Sequence, residues 1–505
     1  MAVTILSSTY KGIEGVLIRI EVDIAKGIPS FNIVGLADIS VKEAKDRVRT
    51  AIENSGYNFP LGRLTVNLAP ANIRKKGSFL DLAIAVAILI ESNQIKNIEN
   101  ENFLFLGELS LNGELRKLNG ALTSVIQARE EGIKKIILPR ENLSECSNLS
   151  NVEFYALNNL KEVIEFLNYK HLKAEKIEEF KAEDRDLYEF INICGQEGAK
   201  RALMICAAGG HNIVLQGPPG SGKTLLAKSL IELLPKLSFE ESLEISKICS
   251  IKGTLSEGLV KKRAFRSPHH TITKAALIGG GRDLSLGEIS LAHNGVLFLD
   301  ELLEFDRRVL ESLREPIEKG RINISRSSGS VEYPADFTLV GAFNPCPCGN
   351  YLSGVEIRKC ICSEAARKNY ENKLSKAMRD RIDIFAFVTY VDFKKLRGEN
   401  LEKVDDFKKI VEKARMKQVL RYEEIGINTN SKLDYSLIDK YIKITVKGDK
   451  LLEDIYSKFG LSSRVLHKII KLARTIADID DKDLVDSEHI YEALGYRKNI
   501  RGEII

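Results

Sequence analysis

The longest uninterrupted apolar run, Leu82 to Ile90, is too short to cross a bilayer, and Met1 to Gly12 lacks the basic-then-apolar layout of a secretory leader. No membrane role is expected, and the chain reads as cytoplasmic. It has no internal repeat and no low-complexity tract, which excludes a solenoid or a disordered scaffold. A strong excess of one charge is also missing: 75 basic against 70 acidic side chains leave a net +5. That balance permits a polyanionic partner without demanding one. No zinc finger, helix-turn-helix or other sequence-reading module is visible, so any engagement of DNA would be structure-specific or nonspecific. Eight cysteines in a cytoplasmic chain are expected as metal ligands or reduced core residues rather than as disulfides.

What is present begins with Gly217-Pro218-Pro219-Gly220-Ser221-Gly222-Lys223-Thr224, an ungapped G-x-x-x-x-G-K-[ST]. Asn212 to Gln216 before it reads as a short buried strand, and Leu225 to Leu234 after it keeps helical periodicity up to Pro235. Small residues let consecutive N–H groups turn inward around phosphate oxygens, and the helix start adds its positive end. Lys223 reaches the outer phosphates and Thr224 ligates magnesium. The sequence therefore predicts binding of a nucleoside triphosphate with Mg. Val296 to Leu299 forms an apolar strand ending in two acids. Asp300 is expected to hold the magnesium shell and Glu301 to orient and deprotonate the attacking water. Leu339 to Phe343 ends in Asn344, placed to touch the γ-phosphate or the water. Asp380-Arg381-Ile382-Asp383 offers a guanidinium just ahead of a further strand, as a subunit of a ring would to its neighbour's nucleotide. Arg379 stands two residues away as the rival. Ser462-Ser463-Arg464 opens a helix from which Arg464 reaches the phosphates from the other side.

At 505 residues about three domains are expected. Residues 1–167 mix short strands and helices as an α+β domain, 168–186 form a charged linker, 187–392 an α/β core with a parallel sheet, and 393–505 a helical lid. Cys346-Pro347-Cys348 and Cys360-Ile361-Cys362 make two C-x-C pairs whose four thiolates would close a tetrahedral zinc site. Cys146, Cys194, Cys206 and Cys249 lack such partners and read as small core hydrophobes. His269 and His270 are read as stabilising a loop or touching a phosphate. Lys261-Lys262-Arg263 with Arg266, Arg321 with Arg326, and Arg74-Lys75-Lys76 are the candidate basic patches for DNA phosphates.

In this order the motifs resemble the AAA+ superfamily. The text around them, including Phe265-Arg266-Ser267-Pro268-His269-His270, Gly287 to His293 and Asn344 to Gly349, is similar to the ComM, or YifB, family of Mg-chelatase-like ATPases across nearly the whole chain. That resemblance implies a hexameric ring driving branch migration of DNA in recombination or natural transformation. It also implies two insertions in the core, 268–287 and a pore-facing hairpin at 320–333. The N-terminal domain resembles the proteolytic domain of Lon, but the serine position falls on Phe79, beside Ser78, and the lysine position on Leu122. A binding or assembly role is expected there instead of proteolysis. Two other readings stay open: a chelatase-type ATPase that remodels a partner enzyme, and an AAA+ module acting on another protein.

Overall fold

The computed structural model describes residues 3–36, 38–73, 75, 79–96, 102–170, 172–175, 179–181, 183, 193–255, 257–281, 284–326, 329–351, 359–391 and 404–498. These divide into two compact units, Met1–Ala182 with Ser238–Lys261, and Glu183–Leu237 with Lys262–Ile505. Ser78, Arg74, Lys76 and positions 171, 176–178, 182 and 184–186 of the charged linker lie outside the described residues.

The first unit is built on a seven-stranded mixed sheet, ordered Ser30–Val34, Arg63–Ala69, Glu14–Ala25, Val3–Lys11, Phe103–Phe105, Lys135–Pro139, Glu153–Leu157. Val3–Lys11 and Glu14–Ala25 form a long antiparallel hairpin, whereas the Phe103 side of the sheet is parallel. The helix Asp81–Glu91 is buried along nearly its whole length, which explains a run apolar on every face. Phe79 and Leu122 are both buried in this core. Lys75 is fully buried as well and donates to the Pro70 carbonyl, so it is not part of a surface patch.

The division departs from the sequence boundaries at 238–261, which the sequence reading places inside the ATPase core. The helix Phe239–Lys252 carries a complete Ser238/Glu241 capping box, and its Ile245 and Ile248 are buried. Leu255 and Leu259 behind it enter the first unit's core, Ser250 donates to Glu145 at 3.0 Å, and Asn148 accepts from the Leu259 N–H at 3.0 Å. Apolar periodicity shows that a helix must bury one face, not which body supplies the cover.

The second unit carries a five-stranded sheet ordered Phe265–Arg266, Val296–Leu299, Thr338–Phe343, Ile213–Gln216, Ile384–Phe387, parallel throughout. Ile213–Gln216 and Val296–Leu299 are buried at every position, as expected of strands covered on both faces. The C-terminal part is helical, with Val404–Arg421, Val446–Phe459, Ser463–Ile479 and Ser487–Gly495 as its principal elements. Among the described residues no helix is long and apolar enough to cross a membrane.

A buried charge cluster ties this helical part to the sheet. Asp383 accepts from the Asn212 N–H at 2.8 Å, pairs with Lys468, and lies 3.8 Å from His211 Nδ1. Burial alone would raise the Asp383 carboxyl, but Lys468 and His211 outweigh it and hold it well below the usual carboxylate range. Because the folded-state value is depressed, its stabilisation is full above the ordinary carboxylate range and is lost as pH falls through and below it. Asp383→Asn leaves Lys468 buried without a counter-charge and should cost about 3–5 kcal/mol. Urea unfolding at neutral pH measures this, and the gap between parent and variant should narrow in acid.

Candidate nucleotide site

The phosphate-binding turn leaves the carboxyl end of Ile213–Gln216 and enters the helix Lys223–Leu233. Gly222, with φ 90°, is the left-handed residue that opens the helix. At Gly217 an added Cβ would strike the Val388 carbonyl, so close approach of the neighbouring strand requires glycine there. The turn is held from outside its motif: Tyr390 Oη donates to the Pro219 carbonyl at 2.9 Å, and Gln196 Nε2, which donates to the Thr389 carbonyl at 2.6 Å, also reaches the Ser221 carbonyl at 3.4 Å. Within it, Ser221 Oγ donates to the Pro218 carbonyl at 2.8 Å.

Lys223 folds over this turn. Its Nζ donates to the carbonyls of Gly217 and Pro218 at 2.7 and 2.9 Å and to Asn344 Oδ1 at 3.2 Å. Desolvation lowers its pKa, opposed by the charge of Asp300. Thr224 Oγ1 donates to Asp300 Oδ2 at 2.9 Å. A hydroxyl and a carboxylate in contact next to a lysine are the hard oxygen donors that a magnesium ion bridging phosphates takes. Glu301 follows in a left-handed conformation, φ 51°, its N–H donating to Asp300 Oδ1 at 2.9 Å. That turn sends the two carboxylates different ways, and Glu301 Oε2 lies 3.2 Å from His270 Nδ1. The His270 ring in turn lies against that of His269, with centroids 4.1 Å apart and planes tilted by 33°.

The arginines stand elsewhere. Arg381 precedes the strand Ile384–Phe387, and its guanidinium donates to the carbonyls of Ala377 at 2.7 Å and Arg314 at 3.2 Å and pairs with Glu318 at 2.8 Å. Arg464 pairs with the same Glu318. Both line a cavity of ≈ 630 Å³ that also takes in Gly210 and Asn212, at the amino end of the strand whose carboxyl end carries the phosphate loop. Four residues of strand, roughly 10 Å, separate the two ends. Arg464, expected to reach the phosphates from the other side, shares Glu318 with Arg381. Sequence order cannot show this, because the helix that carries Arg464 returns to the sheet end where Lys468 meets Asp383. Arg379 contacts Asn372 Oδ1 at 3.4 Å.

Profiles described as magnesium chelatase subunit ChlI match residues 189–396, as subunit ChlI of Mg-chelatase residues 20–142, and as the ChlI C-terminal region residues 402–497. The chain is 41% identical over 493 residues to the uncharacterized protein YifB of Escherichia coli K12, covering 96% of this chain and 95% of that one. It is 39% identical over 505 residues to the competence protein ComM of Haemophilus influenzae, covering 98% and 97%. This chain belongs to the ComM/YifB family of Mg-chelatase-like ATPases. A shorter similarity, 31% identity over 162 residues, links 31% of it to 23% of the magnesium-chelatase 67 kDa subunit of Chlorobaculum tepidum.

In this ComM/YifB-family chain the two C-x-C pairs converge. The Cys346, Cys348 and Cys360 sulfurs lie 3.4 to 3.7 Å apart, and all four, with Cys362, fall within 4.8 Å of one another. A tetrahedral Zn–S₄ centre with bonds of about 2.3 Å places its sulfurs ~3.8 Å apart. The donor set and spacing fit that ion. Of the remaining cysteines, Cys146 and Cys206 are buried in the cores, while Cys194 and Cys249 are only half-buried.

The densest basic cluster is engaged internally. Arg263 donates to the Pro235 and Asn294 carbonyls, each at 2.7 Å, Arg266 makes two bonds to Glu288 at 2.7 and 2.8 Å, and Lys262 pairs with Glu183 at 3.1 Å. Arg263 and Arg266 thus hold the chain around the Val296 strand rather than forming a free cationic face. The hairpin Arg321–Arg326/Gly329–Pro334 does project polar residues, with Arg321 and Arg326 exposed and Ile322, Ile324, Val331 and Tyr333 turned inward. The other insertion holds the short helix Lys274–Ile278 and a ribbon of Gly279–Gly280 with Ser285–Leu286, and Tyr333 Oη donates to the Leu284 carbonyl at 2.6 Å. Glu318, Tyr390 and Gln196 are contacts the sequence reading missed, since none lies in a phosphate-binding pattern.

Proposed function

We propose that this ATPase is a ring-forming motor that hydrolyses ATP with Mg at subunit interfaces and moves DNA through a hexamer, driving branch migration in recombination or natural transformation. The observation that carries it is the division of the site. Lys223, Thr224, Asp300, Glu301 and Asn344 gather at the carboxyl ends of the parallel strands, while Arg381 and Arg464 share Glu318 at the amino end. This supports a site completed between subunits, since Arg381 and Arg464 lie at the end of the sheet opposite the phosphate loop of their own chain.

In this reading Lys223 exchanges its loop carbonyls for the outer phosphates, Thr224 and Asp300 hold magnesium, Glu301 takes a proton from the attacking water and Asn344 orients it. Arg381, with Arg464, stabilises charge on the neighbour's transferring phosphoryl group. The hairpin with Arg321 and Arg326 supplies backbone phosphate contacts without sequence readout. The competence designation of the Haemophilus relative supports a role on incoming DNA. The four cysteines hold a structural zinc ion. A second reading, a chelatase-type ATPase remodelling a partner protein, is favoured by the ChlI descriptions of all three matching segments.

Steady-state ATPase activity without DNA and with single strands, duplex and a four-way junction separates the two, using Lys223→Ala as the blank. Several-fold stimulation by branched or single-stranded DNA is expected. Turnover indifferent to every DNA would overturn the motor and leave the remodelling reading.

A further inference from the structure

The four-cysteine cluster is not an isolated staple. Cys346 follows Asn344 after a single residue, and Asn344 accepts from Lys223 at 3.2 Å. Gly349, whose N–H donates to the Cys346 carbonyl at 2.9 Å, sits directly on the phosphate loop: a Cβ there would fall 2.5 Å from Pro219 Cδ and 2.7 Å from Pro219 Cγ. Its φ of +77° is also a conformation that favours glycine. On its other side, Ser363 caps the helix Glu364–Glu371, and Arg367 donates to the Cys362 carbonyl at 2.9 Å. Lys373, just past that helix, donates to Glu304 at 3.1 Å, in the turn that follows Asp300 and Glu301. The cluster thus abuts the phosphate loop and is joined to both the strand ending in Asn344 and the turn after Asp300.

We propose that metal held by Cys346, Cys348, Cys360 and Cys362 braces the phosphate loop, so that zinc binding and ATP binding favour one another. The inference rests on the zinc reading above. Without the ion, four thiols must hold two separate chain segments together by weak contacts alone, and the Gly349 shelf under Pro219 loses its anchor. With it, the shelf is fixed before nucleotide arrives, and less ordering is left for ATP to impose. Linkage makes the effect reciprocal: if zinc tightens ATP, ATP with Mg retains zinc by the same factor.

The test uses the full chain, a fluorescent ATP analogue with Mg, and zinc release to a chromogenic chelator. Zinc-loaded protein should bind the analogue about fivefold or more tightly than stripped protein of unchanged circular dichroism, and nucleotide should weaken zinc loss by the same factor at equilibrium. Gly349→Ala should keep stoichiometric zinc yet bind the analogue more weakly, since its methyl meets Pro219. No stoichiometric zinc, together with no thiolate charge-transfer bands on cobalt substitution, would overturn the zinc reading itself. Stoichiometric zinc with equal nucleotide affinity in loaded and stripped protein would overturn only the brace. Should stripping unfold the chain, zinc-loaded Gly349→Ala decides alone, and parental affinity there rejects the brace.

Discussion

Glu301→Gln should leave ATP bound and lower kcat by about 10²–10⁴-fold, the usual contribution of a positioned general base. The amide keeps the size of the carboxylate and can still take a hydrogen bond from His270, 3.2 Å from the native Oε2, but it cannot accept a proton from water. Binding should survive because the loop, Lys223 and the Thr224–Asp300 pair are untouched. Asp300 and Glu301 are adjacent in sequence yet meet different partners, Asp300 accepting from Thr224 and Glu301 lying 3.2 Å from His270. Equilibrium binding and single-turnover hydrolysis, measured on the same preparation, check both halves. Hydrolysis at the parental rate would reject the base assignment.

Arg381→Ala should lower turnover by roughly 10³-fold or more, with nucleotide still bound, if the guanidinium acts across the interface. The decisive measurement is a mixture. Arg381→Ala subunits keep an intact phosphate loop, and Lys223→Ala subunits keep an intact arginine. Neither alone should turn over, but mixed rings should recover part of the activity by pairing a working loop with a neighbour's working arginine. Failure to recover, in rings shown to co-assemble, would reject action in trans. Arg379→Ala serves as the control, because Arg379 faces Asn372 rather than Glu318. Glu318 pairs with both Arg381 and Arg464 within one chain.

Local sequence marks what is made locally. The phosphate loop is legible because its chemistry is backbone N–H groups, glycine conformations and two side chains within eight consecutive residues. The acids after Val296–Leu299 and the amide after Thr338–Phe343 are legible for a related reason: buried parallel strands deliver the residue after their last apolar position to a common edge. The cysteine pairs were readable as a candidate ligand set, since spacing names the four sulfurs that the fold brings within 4.8 Å of one another.

What the sequence alone determined is therefore which groups are on offer: a phosphate-loop motif, a hydroxyl and two adjacent carboxylates at strand ends, and four cysteines in two pairs. Only the tertiary structure decided the partners. It put Arg464 on Glu318 with Arg381, spent Arg263 and Arg266 on carbonyls and Glu288, buried Lys75, set Gly349 against Pro219, and gave 238–261 to the first unit. Apart from the local Lys75–Pro70 bond, each of these joins residues far apart in the chain. A charged or apolar side chain announces that it needs a partner, and which one it finds depends on where the packed strands and helices bring the rest of the chain.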